Sequence, residues 1–135
     1  MDEALLREYR ASTYLVCVNA GLWSPIRVGE GLPESLRTLI GNHGWGFITA
    51  WNPHSVQRAI AENTAAQQQL LATLRANGNL LALHPGVGIG AQGWYEPSLF
   101  VLGLDLDTLD QLGGKFAQNA YIYGRGTELA CLREL

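Results

Sequence analysis

The stretch from Trp45 to Trp51 constrains the fold more than any other part of the chain, because its side chains alternate in size. One set of alternating positions holds Trp45, Phe47, Thr49 and Trp51, and the other holds Gly46, Ile48 and Ala50. This period of two predicts a β-strand with one bulky face and one face that a neighbouring element can approach closely. Asn52 and Pro53 follow and are expected to end the strand, since proline has no amide hydrogen for a sheet ladder.

Other segments predict the rest of the sheet and its helices. Ser98 to Leu104 is almost continuously apolar, which indicates a central strand covered on both faces. Further strands are predicted at Tyr14 to Val18, Ile26 to Val28, Leu80 to Leu83, Tyr121 to Tyr123 and Leu129 to Leu132, and helices at Pro33 to Ile40, Ser55 to Asn77 and Asp105 to Phe116. We therefore expect one α+β domain over residues 1–135, with a mixed β-sheet of about five to seven strands and two to three helices mainly on one face. Residues 1–10 are expected to form an N-terminal arm or a short helix.

Composition narrows the class of function. The chain has 135 residues, a net charge of −3 and only nine basic residues, which are scattered singly. Nucleic-acid binding is therefore unlikely, because it usually needs a basic patch. No apolar run approaches 18 residues, and residues 1–10 lack the apolar region of a signal peptide. We expect no membrane association and a cytoplasmic location.

The long helix carries amides where its buried stripe should be apolar. The spacing of Val56, Ile60, Leu70 or Leu71, and Leu74 predicts one buried face. Asn63 and Gln67 fall on that face, with Glu62 at its edge. A buried amide without a partner costs about 1–3 kcal/mol, so both must be paired. Either they fasten a neighbouring loop, such as residues 52–54 or the glycine-rich segment, or they face a cleft and bind a polar ligand.

A second polar group lies at the ends of predicted elements. Glu96 and Ser98 enter the central strand, and Gln118 and Asn119 precede the strand at Tyr121. Side chains at strand ends can converge on one crevice, although Gln118 and Asn119 also suit a simple turn. Glu62 and Glu96 are the candidate acid–base residues if the protein is an enzyme.

Cofactor and metal motifs do not fit their contexts. The segment 86–91 matches a dinucleotide glycine pattern, but residues 92–97 read as a turn instead of the helix that must follow. Residues 85–93 are instead expected to form a flexible loop or a lid. His43, His54 and His84 have no cysteine or carboxylate at ligand spacing. We expect no cofactor and no metal.

These same segments resemble a known family. The run Phe-Ile-Thr-Ala-Trp-Asn-Pro at 47–53, with Ser55 behind it, is similar to the signature of a bacterial family known only as domain of unknown function 3293. Glu62-Asn63 with Gln67, Glu96-Pro97-Ser98 and Gln118-Asn119-Ala120 resemble its other motifs, and Arg27 with Gly29-Glu30 an earlier one. Ala66, Ala117 and Gly31 depart from the residues usual in that family, Arg, Gly and Pro. The resemblance implies one fold over the whole chain and a set of shared motif residues, but it implies no activity.

Two functional hypotheses follow. In the first, the domain binds a small polar ligand in an amide- and carboxylate-lined cleft, with or without catalysis. Its ligand-binding residues would be Asn52, Ser55, Asn63, Gln67, Ser98, Gln118 and Asn119, with Glu62 and Glu96 as the catalytic candidates. In the second, the domain is a non-enzymatic interaction or regulatory module, its amides are purely structural, and an exposed apolar patch meets a partner.

Overall fold

A computed structural model describes residues 1–135 and contains seven strands and four α-helices. The strands are β1 (Thr13–Asn19), β2 (Leu22–Ile26), β3 (Gly44–Ile48), β4 (Ala82–Ile89), β5 (Tyr95–Leu102), β6 (Ala120–Arg125) and β7 (Cys131–Glu134). The helices are α1 (Glu3–Ala11), α2 (Glu34–Ile40), α3 (Ile60–Arg75) and α4 (Leu106–Lys115). No helix combines the length and the apolar character that crossing a membrane requires.

All seven strands form one curled sheet in the order β2-β1-β4-β5-β3-β6-β7. The expectation of a single α+β domain is confirmed, but every strand pair is antiparallel, so the expected mixed sheet is wrong. Two helices form crossover connections: α3 links β3 to β4, and α4 links β5 to β6. The two strands joined by each helix are separated in the sheet by one antiparallel strand, which is β5 in the first case and β3 in the second. No two parallel strands are therefore neighbours.

Hydrophobic cores lie on both faces of the sheet. Trp45 and Phe47 point into one core with α2, whereas Ile48 from the same strand lies in the other core with α3 and α4. The expectation of helices mainly on one face therefore holds for the two longest helices and fails for α2. We call the α2 side the inner face and the α3–α4 side the outer face.

The glycine-rich segment is a strand over residues 85–89, where a loop was expected, and only residues 90–93 form a turn. Residues 85–89 belong to β4, which pairs with β1 and β5. A Cβ atom on Gly86 would lie 2.6 Å from Cε2 of Phe47, and one on Gly88 would lie 3.6 Å from Cδ1 of Tyr14. The absence of a side chain at Gly86 thus makes room for the ring of Phe47, whereas Gly88 lies at an ordinary contact distance from Tyr14.

The long helix begins at Ile60 and not at Ser55. Asn52, His54 and Ser55 have positive φ angles of 45°, 56° and 60°, which a right-handed α-helix cannot accommodate. Val56 and Ile60 are 63% and 74% exposed, so the buried stripe is confined to Asn63, Leu70 and Leu74. The sharp reversal over residues 52–59 positions the polar side chains described next.

Candidate functional site

Asn63 fastens the reversal that follows β3. Its Oδ1 accepts from the backbone N–H of Asn52 at 2.9 Å, and its Nδ2 donates to Oδ1 of Asn52 at 2.8 Å. Oδ1 of Asn52 also accepts from the backbone N–H of Arg58 at 3.1 Å. Because Asn63 is only 2% exposed, this reciprocal pair leaves little polar surface for a ligand.

Gln67 holds the end of β3 one helical turn further along. Its Oε1 accepts from the backbone N–H of Ala50 at 2.9 Å. Nearby, Thr49 Oγ1 donates to the carbonyl of Pro97 at 2.7 Å and accepts from the N–H of Trp51 at 3.0 Å. The amide and the hydroxyl therefore replace the sheet hydrogen bonds that are lost where β3 ends.

Gln118 and Asn119 form a third set of fastenings. Nε2 of Gln118 donates to the carbonyls of Trp51 and Phe116, both at 3.2 Å. Nδ2 of Asn119 donates to Oγ of Ser55 at 2.9 Å. Every partner in these hydrogen bonds is a protein group. The contacts therefore agree with the hypothesis that the amides are structural and hold neighbouring loops.

The two carboxylate candidates lie in different environments. Glu62 is exposed on α3 and forms a long ion pair with Arg58, at 3.7 Å between Oε2 and Nη1. Glu96 lies on β5 and points to the inner face, beside a small pocket. The acid–base pair that sequence alone suggested is therefore not assembled, and Glu96 is the carboxylate that the fold encloses.

Aromatic side chains surround Glu96. The pocket has a volume of about 20 Å³, enough for roughly one water molecule. Its principal walls are Tyr9, Tyr14, Phe47 and Trp94, with Thr49, Ser98 and Gln118 as further polar members. Ser98 Oγ donates to the backbone carbonyl of Glu96 at 3.0 Å, and no protein group donates a hydrogen bond to the Glu96 carboxyl.

This environment favours the protonated form of Glu96. Desolvation by burial raises the pKa of its carboxyl to about 8, and no cation or hydrogen-bond donor offsets it. Burial also raises the pKa of the Tyr9 and Tyr14 hydroxyls above their usual values. The neutral carboxylic acid is therefore favoured at neutral pH, beside phenols that are also neutral.

The N-terminal helix forms one wall of this pocket. No residue of α1 is fully buried, and Tyr9 is its contribution to the lining. The Tyr9 hydroxyl lies 3.3 Å from Oγ of Ser55, and the Tyr14 hydroxyl donates to the carbonyl of Tyr9 at 2.6 Å. Because no residue of α1 is buried, an outward displacement of α1 would enlarge the pocket.

The fold thus brings together some of the residues expected from sequence. Glu96, Ser98 and Gln118 line the pocket, whereas Asn52, Ser55, Asn63, Gln67 and Asn119 form the adjacent hydrogen-bond network. Tyr9 and Tyr14 also line the pocket, and neither was among the site residues expected from the sequence. Tyr14 falls on the inward positions of β1, which could have indicated it, but no pattern near Tyr9 indicates its role.

A larger polar cleft of about 410 Å³ lies at the opposite ends of the same strands. His43, Asp105, Thr108 and Arg125 line it, together with backbone of Gly44 and Gly103. It contains none of the candidate residues. No three His, Cys, Asp or Glu side chains converge anywhere in the structure.

One family model matches the part of the chain that carries most of the polar residues of this site. The family described as "Protein of unknown function (DUF3293)" matches residues 48–121, just over half of the chain. That range includes Thr49, Asn63, Gln67, Glu96, Ser98 and Gln118. No curated protein and no solved structure shows significant similarity to the chain. The chain belongs to the DUF3293 family of proteins of unknown function.

Proposed function

We propose that the protein binds a small cationic ligand, such as a primary ammonium compound, at Glu96. The observation that carries this proposal is a half-buried carboxyl that lies among aromatic side chains and receives no hydrogen bond from the protein. A carboxylate that is partly withdrawn from water without a protein donor lowers stability, and functional sites are where such groups persist. An ammonium group would supply both the missing donors and the opposite charge.

The walls of the pocket suit a cation. Tyr9, Tyr14 and Trp94 lie next to Glu96, and the faces of such rings attract cations by up to about 2 kcal/mol where water is excluded. An anion would meet the carboxyl and the negative faces of these rings. The polar groups of Thr49 and Gln118 are already bonded to backbone, so they shape the pocket more than they bind.

Ligand entry is coupled to proton release and to movement of α1. The closed pocket accommodates about one water molecule, so a ligand enters only after α1 and Tyr9 move outward. A cation binds the ionised carboxylate, so Glu96 must first lose its proton. If the bound molecule reacts, Glu96 is the group placed to accept or donate a proton, and Glu62 is not.

The proposal is tested by titrating methylammonium and ethanolammonium into the protein by calorimetry at several pH values. Because a proton competes with the ligand below a pKa of about 8, affinity should rise with pH, by up to about tenfold per unit, and level off near pH 8. Binding should release protons, which is detected as a dependence of the measured heat on the ionisation enthalpy of the buffer.

Glu96→Gln is the matched variant, because it keeps the size of the side chain and removes the charge. Binding should be lost in Glu96→Gln and retained in Glu62→Gln, where the carboxylate is exposed. Absence of ammonium binding at all pH values, or equal binding by Glu96→Gln, would exclude a cation site at Glu96.

We infer a location in the bacterial cytoplasm. Cys17 and Cys131 are both free thiols, and a reducing compartment keeps such thiols unpaired. The bacterial assignment is supported by the resemblance of the motifs alone.

A further inference from the structure

The Glu96 pocket offers few free hydrogen-bond acceptors. Each hydroxyl in its lining already takes part in a hydrogen bond within the protein, and these hydroxyls belong to Tyr9, Tyr14, Thr49, Ser98 and Tyr121. The carboxyl of Glu96 and Oε1 of Gln118 are the side-chain oxygens of the lining that form none. A cation that brings several N–H donors would therefore find few acceptors here.

The number of N–H donors distinguishes one ammonium ion from another. A primary ammonium group carries three, whereas a trimethylammonium group carries one. A carboxylate on one side of the ion reaches one or two of these donors, and the others point at the remaining walls of the pocket. An N–H withdrawn from water without an acceptor lowers affinity, because it loses its hydrogen bonds to water.

Aromatic rings form those remaining walls. The ring of Tyr14 contacts the ring of Phe47 edge-on, with centroids 5.3 Å apart. Tyr14 and Trp94 both lie over Gly88, since a Cβ at that glycine would be 3.6 Å from Cδ1 of Tyr14 and 3.8 Å from Cζ3 of Trp94. These three rings therefore lie next to one another, and Tyr9 adds a fourth.

We propose that the Glu96 pocket selects N-methylated ammonium ions over primary ones. This inference rests on the cation site proposed above and narrows its ligand to one class. In a methylated ammonium ion, part of the positive charge lies on the methyl groups, so these groups are attracted to the ring faces while they also gain apolar contact. Recognition of methylated ammonium groups by several aromatic rings is a common use of this interaction.

The larger size of a methylated ion does not exclude it. The closed pocket accommodates about one water molecule, so even methylammonium requires outward movement of α1. This helix has no buried residue, and it carries only one of the four rings, that of Tyr9. Tyr14 lies in β1, Phe47 in β3 and Trp94 next to β5, so these three rings remain beside the carboxyl when α1 moves.

Calorimetric titration of methylammonium, dimethylammonium and trimethylammonium chloride into the full chain tests the inference. All three are measured at one pH near the pKa of about 8 at Glu96, so that the carboxyl is ionised to the same extent in each titration. Affinity should rise with each methyl group, by about tenfold over the series. The neutral alcohol tert-butanol, which is similar in size to trimethylammonium, should bind far more weakly because it lacks the charge.

Trp94→Leu separates the effect of a ring face from that of apolar contact, because leucine keeps the apolar character and removes the ring. It should lower the preference for trimethylammonium over methylammonium by about threefold or more, and Tyr9→Leu should do the same. Tyr95→Leu is the matched control, since Tyr95 adjoins Trp94, is 64% exposed and lies outside the lining of the pocket. Its preference should equal that of the wild type. Melting curves establish that each variant is folded.

The outcomes separate this preference from the cation site on which it rests. Absence of binding by all three ions would exclude the cation site and, with it, the preference. Binding that is lost in Glu96→Gln but is equal or weaker for trimethylammonium would leave the cation site in place and overturn the preference. An unchanged preference in both Trp94→Leu and Tyr9→Leu would also overturn it, as would tert-butanol binding as tight as that of trimethylammonium.

Discussion

At the scale of single residues, the amides of α3 illustrate how one sequence signal supports two opposite interpretations. Asn63 and Gln67 interrupt an apolar stripe, which indicated either a ligand or an internal partner. In the structure their oxygens accept from the backbone N–H groups of Asn52 and Ala50. Both amides thus hold the chain where β3 ends. The ligand proposal depends on Glu96 instead, because that carboxyl has no protein partner.

Asn63→Leu should lower the free energy of unfolding by about 1–3 kcal/mol, measured by urea denaturation. The substitution keeps approximate volume, but it removes the acceptor of the Asn52 N–H and the donor to Oδ1 of Asn52. Gln68→Leu, an exposed position on the same helix, should change stability by less than about 0.5 kcal/mol. Unchanged or increased stability in Asn63→Leu would show that the amide is not a structural fastener.

At the scale of elements, β4 shows what glycine does in this sheet. Its glycines face the inner core, where the ring of Phe47 lies against Gly86 and contacts the ring of Tyr14 edge-on, with centroids 5.3 Å apart. The segment that the sequence predicts as a glycine-rich loop is therefore a strand against which aromatic side chains pack. The aromatic part of the Glu96 pocket depends on this packing, since Tyr14, Phe47 and Gly88 all line the pocket.

Gly86→Ala should lower the free energy of unfolding by about 1–3 kcal/mol, because the added methyl overpacks the core. It would lie 2.6 Å from Cε2 of Phe47 and 3.2 Å from the carbonyl oxygen of Leu15, and neither neighbour is free to move far. Gly114→Ala is the control, since nothing lies within 4 Å of its Cβ in α4. That change should stabilise the helix by about 0.5–1 kcal/mol. A loss of stability in both variants, or in neither, would contradict this account.

At the scale of the whole molecule, the two cores share one sheet. β3 contributes Trp45 and Phe47 to the inner core and Ile48 to the outer one, so neither core can come apart without disturbing the strand that both need. The chain should therefore unfold as a single cooperative unit.

Tryptophan fluorescence and far-ultraviolet circular dichroism should give coincident urea transitions. In a variant with Trp23, Trp51 and Trp94 replaced by Phe, the remaining Trp45 is 1% exposed and reports on the inner core. The helical signal comes largely from α3 and α4 on the outer core. Two separated midpoints would mean that the cores unfold independently and would contradict the assignment of one domain.

The sequence by itself determined the class of fold, the presence of most strands and helices, and the residues of the family motifs. These features are local. Alternation of side-chain size, helical spacing of apolar residues and turn residues each extend over a few positions, so they can be recognised without knowledge of the fold. Antiparallel pairing throughout and the placement of α2 opposite α3 and α4 depend on strand order, which no local pattern encodes. The same holds for the site. Only the tertiary structure brought Tyr9 and Phe47 against Glu96 and left Glu62 in solvent, because the burial of a carboxyl, and with it the pKa, depends on contacts between residues far apart in the chain.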